Sequence, residues 1–350
     1  MNSKEPSSIA KSIIQEDIIK ILEQVDPSPL QGKRVLVTGT NGLLGGYLLA
    51  YLATAIQKKK ISCEVRCISK NNPNQYLREY LDGVAVTFET KDLGRPFDLN
   101  EHYDIVFHAA GYSQPKKFIE NPLETVKINI DATLSLIERV IDGGTFVFFS
   151  SAETYGDIPA DRIPVSETYR GEVDTTGKRA VYAEAKRLGE AIVSSVERAR
   201  NIKARILRIS HTYGPGITKN DTRLMGDILR MAEEGRIVLQ DEGRAIKTFG
   251  YVGDTTAMIL YAALYGKERV YNIGGKDSLS VAELAGQIGQ AYGVPVSVEN
   301  KKNQKAHIGE DPQIVRLDMT RLEKEMGQIP YTSIKEGLRR LISWYKTEQK

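Results

Sequence analysis

Residues 34–45 read Arg34-Val35-Leu36-Val37-Thr38-Gly39-Thr40-Asn41-Gly42-Leu43-Leu44-Gly45. The continuous apolar run at 35–37 predicts a strand buried on both faces. Three glycines follow at G-x-x-G-x-x-G spacing, and a segment rich in Leu and Ala predicts a helix to about Ile56. A dinucleotide phosphate needs this order of strand, turn and helix. Gly39 makes the tight turn, Gly42 admits the pyrophosphate to the backbone, and Gly45 lets the helix pack close to the strand. The phosphates then meet unpaired N–H groups at a helix N-terminus. Asn41, Leu43 and Leu44 belong to the same expected contact surface.

The second strand, expected at 62–68, ends in Ile68-Ser69-Lys70-Asn71. An acid normally stands there to bind the adenosine ribose, and none is present. Ser69 and Lys70 suit the extra phosphate of NADP, while a solvated loop lysine is an equal alternative, so NAD and NADP both stay open. Asp92 and Leu93 follow the third strand, expected at 84–88, and are placed to touch adenine.

Working outward, strands alternate with helices. A fourth strand is expected at Asp104–His108, a helix at 122–141 with Asn121 as its cap and Pro122 at its first turn, a strand at Thr145–Ser150, a helix at 180–200 and a strand at Ala204–Ile209. The class is α/β, a doubly wound parallel sheet. After about 212 the pattern turns irregular, which predicts a smaller C-terminal substrate lobe interleaved with the sheet. Ile14, Ile18, Ile21, Leu22 and Val25 fall at helical spacing. The expected division is an N-terminal helical extension at 1–30, a nucleotide-binding domain at 31–210 and the lobe at 211–350.

Bulk properties exclude several classes. The 350 residues carry 48 basic and 45 acidic side chains, a net +3, too small and dispersed for a nucleic-acid or membrane surface. No apolar run approaches the ~20 residues of a membrane span. Cys63 and Cys67 lie four apart in a strand-like run and are expected as reduced thiols on one face. The four histidines form no metal-spaced group, so no metal is expected. The N-terminal MNSKEPSS lacks an apolar leader core, which points to the cytoplasm.

Tyr182-Ala183-Glu184-Ala185-Lys186 sets a tyrosine and a lysine on one helix face. A phenol of pKa ~10 is a poor base at neutral pH. A neighbouring ammonium and an oxidised nicotinamide favour the phenolate, which then takes a proton from a sugar hydroxyl as hydride leaves. Ser150-Ser151 ends the preceding strand, where ligands bind in such sheets, and Ser151 suits a hydrogen bond to the same hydroxyl.

With these motifs in hand, the chain resembles an extended short-chain dehydrogenase/reductase of the nucleotide-sugar epimerase/dehydratase family. The resemblance rests on TGTNGLLG, HAAG at 108–111, KINIDAT with Asn129, SSAETYGD at 150–157, YAEAK, RISHTYGPG at 208–216, FGYVGD at 249–254 and YNIGG at 271–275. Within the family it is most similar to UDP-glucuronate decarboxylases. The resemblance implies a Rossmann fold, cofactor contacts at Ala109, Ala110 and Gly111, and catalytic roles for Ser151, Tyr182 and Lys186. It also implies a homodimer paired through the helices near 122–141 and 180–200.

Family members oxidise the sugar at C4 and then exploit the acidified neighbouring position. Glu153 stands where dehydratases and decarboxylases carry a glutamate, and is expected to remove the C5 proton. Ala152 replaces the dehydratase aspartate, and also the serine of the decarboxylases. Lys247 stands where decarboxylases usually carry arginine, whose fork a lysine does not reproduce. Arg316 matches the position that grips the substrate diphosphate, with Arg223 and Lys247 as further candidates. The expected activity is NAD(P)-dependent epimerisation or dehydration of a nucleotide-diphosphate sugar. UDP-glucuronate decarboxylation and an NADPH-dependent 4-keto-sugar reductase are the alternatives.

Overall fold

The apolar run around Val35 is buried because it lies in the middle of a sheet covered on both faces. The computed structural model describes residues 6–299 and 314–347. Its first six strands are β1 (Lys33–Thr38), β2 (Cys63–Ser69), β3 (Val86–Thr90), β4 (Tyr103–His108), β5 (Val140–Ser151) and β6 (Lys203–Ile209). The short strands β7 (His211–Tyr213), β8 (Ile237–Leu239) and β9 (Ile246–Tyr251) precede β10 (Val270–Ile273). After it come β11 (Ser278–Ser280), β12 (Val296–Val298) and β13 (Ile314–Val315). A seven-stranded sheet runs β10-β6-β5-β4-β1-β2-β3, parallel throughout. The order reverses at β1, between β4 and β2. That reversal opens a crevice at the carboxyl ends of the strands, where the glycine turn lies.

Alternation along each strand divides the core in two. Val35, Val37, Ile105, Phe107, Val147 and Phe149 face one apolar cluster. Leu36, Val106, Phe146 and Phe148 face the other. Cys63 and Cys67 share a face, as expected, and are free thiols. Burial pushes both up, Cys63 to about 12.

The C-terminal part supplies β10 to the large sheet and builds smaller ones. β9 pairs with β7, β11 and β13, and β8 pairs with β12. Among the described residues, no helix is long and apolar enough to cross a membrane.

The segment expected as one helix at 122–141 divides into helices Pro122–Asn129 and Asp131–Ile137. It ends early because Tyr103 N donates to the Arg139 carbonyl at 2.8 Å and Val140 pairs opposite Tyr103. Strand pairing thus overrides helical propensity there. Asn121 precedes the helix, but its side chain donates backwards to the Lys117 carbonyl at 2.8 Å. It closes the Pro115–Glu120 helix instead of capping the next.

The N-terminal helix, Pro6–Gln24, buries Ile14, Ile18 and Ile21 against the helices Leu43–Lys59, Val252–Leu264 and Ile334–Thr347. Its apolar stripe also carries Asp17, only 3% exposed. The carboxylate accepts from Tyr47 Oη at 3.0 Å, Tyr251 Oη at 2.6 Å and Arg340 Nη2 at 2.8 Å. Burial raises the Asp17 pKa, opposed by the Arg340 charge. Removing one partner of such a knot strands a buried charge. Asp17→Ala is therefore expected to lower stability by about 3 kcal/mol, read by urea denaturation. Because Asp17 lies outside the crevice, turnover by the folded fraction should be unchanged.

Candidate active site

The glycine turn is shaped for close approach. Gly39 has φ +73°, and a Cβ there would lie 2.7 Å from the Ala110 backbone. A Cβ on Gly45 would lie 2.3 Å from the Gly39 carbonyl oxygen. Gly42 precedes the Leu43–Lys59 helix and leaves its first turn without a side-chain cap. The N–H groups of that turn have no intrahelical acceptor and make an anion site. Leu43 and Leu44 are half-buried beside it.

Asn41 faces away from this cradle. Its Nδ2 donates to the carbonyls of Asn71 and Asn72, both at 2.8 Å, and its Oδ1 accepts from Asn74 N at 3.1 Å. The side chain ties the glycine turn to the loop after β2. Ser69 is buried at the end of β2, and Lys70 pairs with Asp92 at 2.9 Å. Asp92 also accepts from Gly94 N at 3.0 Å. Lys70 thus spends its charge on Asp92, which weakens the expected phosphate subsite. The Leu93 side chain lies in the core with Leu36 and Ile68, so it contributes only backbone to the crevice.

A buried relay fixes the loop after β4. Ala110 N donates to Thr38 Oγ1 at 3.2 Å, and that hydroxyl is 3.0 Å from His108 Nδ1. His108 Nε2 reaches the Ile128 carbonyl at 3.1 Å. Burial and the Lys186 charge lower the His108 pKa to about 3, so the ring is neutral. It donates through Nε2 and accepts from Thr38. This holds Ala109, Ala110 and Gly111 against the glycine turn. A Cβ on Gly111 would lie 3.7 Å from Lys186 Nζ and 3.9 Å from Asn129 Oδ1.

Ser150 and Ser151 diverge, as neighbours on a strand must. Ser150 Oγ donates to Glu190 Oε1 at 2.5 Å, within a pair whose other member is Arg208. Ser151 ends β5 at the crevice, and its hydroxyl accepts from Glu153 N at 3.2 Å. Tyr182 is 7% exposed. Burial pushes its hydroxyl up to about 12, and the Glu153 charge acts in the same direction. The Ser151 hydrogen bond and the guanidinium groups of Arg179 and Arg223 pull it back.

Lys186 departs from the expected pairing. Its Nζ donates to the Phe149 carbonyl at 2.6 Å and stands 5.9 Å from the Tyr182 ring centre. Burial lowers its pKa to about 7. The charges of two arginines favour the phenolate in this structure, and burial makes a full charge on Lys186 costly.

Glu153 begins the short turn after β5, and both its oxygens meet the guanidinium of Arg179, one of them through Nε at 3.2 Å. Arg179 lies over the Phe118 ring at 5.4 Å, and Phe118 stacks on Tyr182 at 4.6 Å and 9°. Neither Arg179 nor Phe118 was legible as a site residue. Arg179 stands three residues before Tyr182, where the following helix begins, and that spacing was the available signal.

The phosphate-gripping candidates lie on separate segments. Arg223 pairs with Asp221 through Nε at 3.0 Å, and its charge favours the Tyr182 phenolate. Lys247 is 1% exposed on β9, opposite Val315 and Leu279. Arg316 is exposed just after β13, its carbonyl accepting from Val165 N at 2.8 Å.

The residues present fit a dinucleotide. The cradle at Gly39–Gly45 is open to phosphate. Thr40 Oγ1 beside it and Asn129 Oδ1 near Lys186 are buried polar atoms without a hydrogen-bond partner. Such atoms normally have one.

A family model described as the NAD dependent epimerase/dehydratase family matches residues 35–274. UDP-glucuronic acid decarboxylase 6 of Arabidopsis thaliana is 27% identical over 323 residues, covering 89% of this chain and 90% of that protein. Among solved structures, the dTDP-glucose 4,6-dehydratase of Streptomyces venezuelae has a TM-score of 0.75 at 22% identity, covering 90% of this chain and 98% of that one. The UDP-glucose 4-epimerase of Thermotoga maritima has 0.73 at 22% identity, covering 91% and 100%.

Proposed function

The chain belongs to the NAD-dependent epimerase/dehydratase family, and from that premise we propose that it oxidises C4 of a nucleotide-diphosphate sugar and then acts on the C5 proton. The observation that carries this reading is Tyr182, buried on the helix that packs against β5, whose carboxyl end carries Ser151. The glycine turn, Ala109–Gly111 and the backbone of Leu93 hold NAD. When bound, NAD would supply a positive ring and a hydride acceptor, and the hydride would return to the sugar after the C5 step, so the cofactor is recycled. Tyr182 Oη takes the C4 hydroxyl proton while Ser151 Oγ orients that hydroxyl. Lys186 lines the cofactor side of the tyrosine. Glu153 removes the C5 proton, which the new C4 carbonyl acidifies. Lys247 and Arg316, on the paired strands β9 and β13 and just beyond, are assigned to the anionic nucleotide end, with Arg223 as a further candidate.

A second reading is decarboxylation of a nucleotide-linked hexuronate. Curated relatives at 24–28% identity are UDP-glucuronic acid decarboxylases, and two arginines face the tyrosine. A reductase that consumes NADPH gains no support, since Lys70 is paired with Asp92.

Purified enzyme is expected to retain NAD, not NADP, and to turn over without added nicotinamide. Incubation with UDP-glucose, UDP-glucuronate and dTDP-glucose, followed by mass, separates the outcomes. Loss of water or an isomer of unchanged mass supports the first reading, loss of carbon dioxide the second, and gain of two hydrogens overturns both.

The dimer reading rests on exposed apolar side chains. Leu123 is 72% and Leu188 is 52% exposed, on helices that pack together, with Val126 and Leu134 nearby. We propose this face as the homodimer contact of a cytoplasmic enzyme. Leu123→Asp with Leu188→Asp should halve the mass measured by sedimentation.

A further inference from the structure

We propose that Arg179 is a positioning residue for this reaction: it aims Glu153 with a two-point fork and, stacked on Phe118, balances that carboxylate's charge beside Tyr182. The proposal rests on the assignment of Tyr182 and Glu153 given above. Three contacts converge on one residue. The guanidinium meets both Glu153 oxygens. The Arg179 carbonyl accepts from Tyr182 N at 3.1 Å, opening the helix that carries the tyrosine. The cation lies over Phe118, the ring that stacks on Tyr182. Arg179, Phe118 and Tyr182 therefore form one cluster, with Glu153 fastened to Arg179.

The arrangement solves a conflict inherent in the site. A carboxylate close enough to reach C5 also opposes the ionisation of the tyrosine that must deprotonate the C4 hydroxyl. A cation fixed to the carboxylate lowers that opposition without displacing it. The side chains of Arg179 and Glu153 are 13% and 22% exposed, so water screens the pair only partly. Other charges also face Tyr182. Arg223 acts from the loop before the Leu224–Glu233 helix, and Lys186 sits 5.9 Å from the ring. Lys186 donates to Phe149 and Arg223 is held by Asp221, so neither is fastened to Glu153. A lysine at 179 would keep the charge but not the planar fork.

The test is the pH profile of kcat/KM for the NAD-loaded enzyme, with UDP-glucuronate and UDP-glucose as probes. Arg179→Gln should move the acid limb, where the tyrosine must lose its proton, upward by about one pH unit. Rate then falls about tenfold at the low end and recovers at high pH. Glu153→Gln and the double variant lack the C5 base, so their limb is read from single-turnover hydride transfer to the bound NAD: Glu153→Gln should move it downward, and the double variant should return it close to the wild type. Arg179→Lys should leave the limb in place while kcat falls about tenfold with KM unchanged. A residue that merely braces the 152–155 turn would lower rate equally at all pH values, and that result overturns the inference. So does a double variant as displaced as Arg179→Gln alone. If Arg179→Gln does not fold, Arg179→Lys and Glu153→Gln carry the comparison. A crystal structure of Arg179→Lys gives a reading without substrate: Glu153 should leave its present position, and an unmoved carboxylate overturns the proposal. Failure of the underlying assignment looks different, because Tyr182→Phe would then turn over both probes like the wild type.

Discussion

Tyr182→Phe is expected to lower kcat about a thousandfold and leave the fold and cofactor content intact. The substitution removes one oxygen from a side chain whose ring is held by other contacts. Phe118 stacks on it at 4.6 Å, and the residue is 7% exposed within a well-packed helix. The Ser151 hydroxyl keeps its own hydrogen bond from Glu153 N at 3.2 Å. Stability should therefore change by about 1 kcal/mol or less. Chemically the loss is severe, because the neighbouring titratable groups are engaged elsewhere. Glu153 is held by Arg179 and Lys186 by the Phe149 carbonyl. The measurement is single-turnover hydride transfer with protein that retains its NAD, alongside thermal denaturation. A variant that transfers hydride at the wild-type rate would remove Tyr182 from the mechanism.

What the sequence disclosed about this site was local. The glycine turn spans seven residues and its roles follow from their spacing, so Gly39 and Gly45 are where the reading placed them. The face shared by Tyr182 and Lys186 is likewise a property of one helix. What stayed hidden depends on contacts between distant segments. Glu153 and Arg179 are 26 positions apart, and Asp17 and Arg340 are 323 apart. Neither pair leaves a periodic trace. The overlong helix at 122–141 is the same failure in backbone form, since its end is set by pairing with Tyr103. Asn41 and Lys70 have side chains suited to a ligand, yet both are engaged by neighbouring loops. Residue type and position did not reveal those partners.

Lys186→Met should abolish turnover and make the protein more stable at neutral pH. Two opposite effects on one residue follow from its burial. The amine is 5% exposed, lies over Phe148 at 5.0 Å and donates only to the Phe149 carbonyl among its resolved hydrogen bonds. Its pKa falls from 10.5 to about 7, so the folded chain binds this proton less tightly than the unfolded chain. Stability rises with pH wherever the unfolded state holds more protons. The cost of charging Lys186 is therefore fully present below pH ~7 and fades as pH climbs towards ~10.5. A displacement of that size corresponds to roughly 5 kcal/mol, and losing the bond to Phe149 returns about 1 kcal/mol. Methionine fills similar volume without a charge, so the variant should gain a few kcal/mol at pH ~6 and lose the upward slope between pH ~7 and ~10. The activity loss has a separate cause: the amine is the cation nearest Gly111 and Asn129 Oδ1 in this geometry, where the nicotinamide end of the cofactor is assigned. Urea denaturation across this pH range decides the matter. A wild-type slope preserved in the variant would show that the buried amine titrates as it does in water. The resting amine would then carry its charge at neutral pH despite its burial.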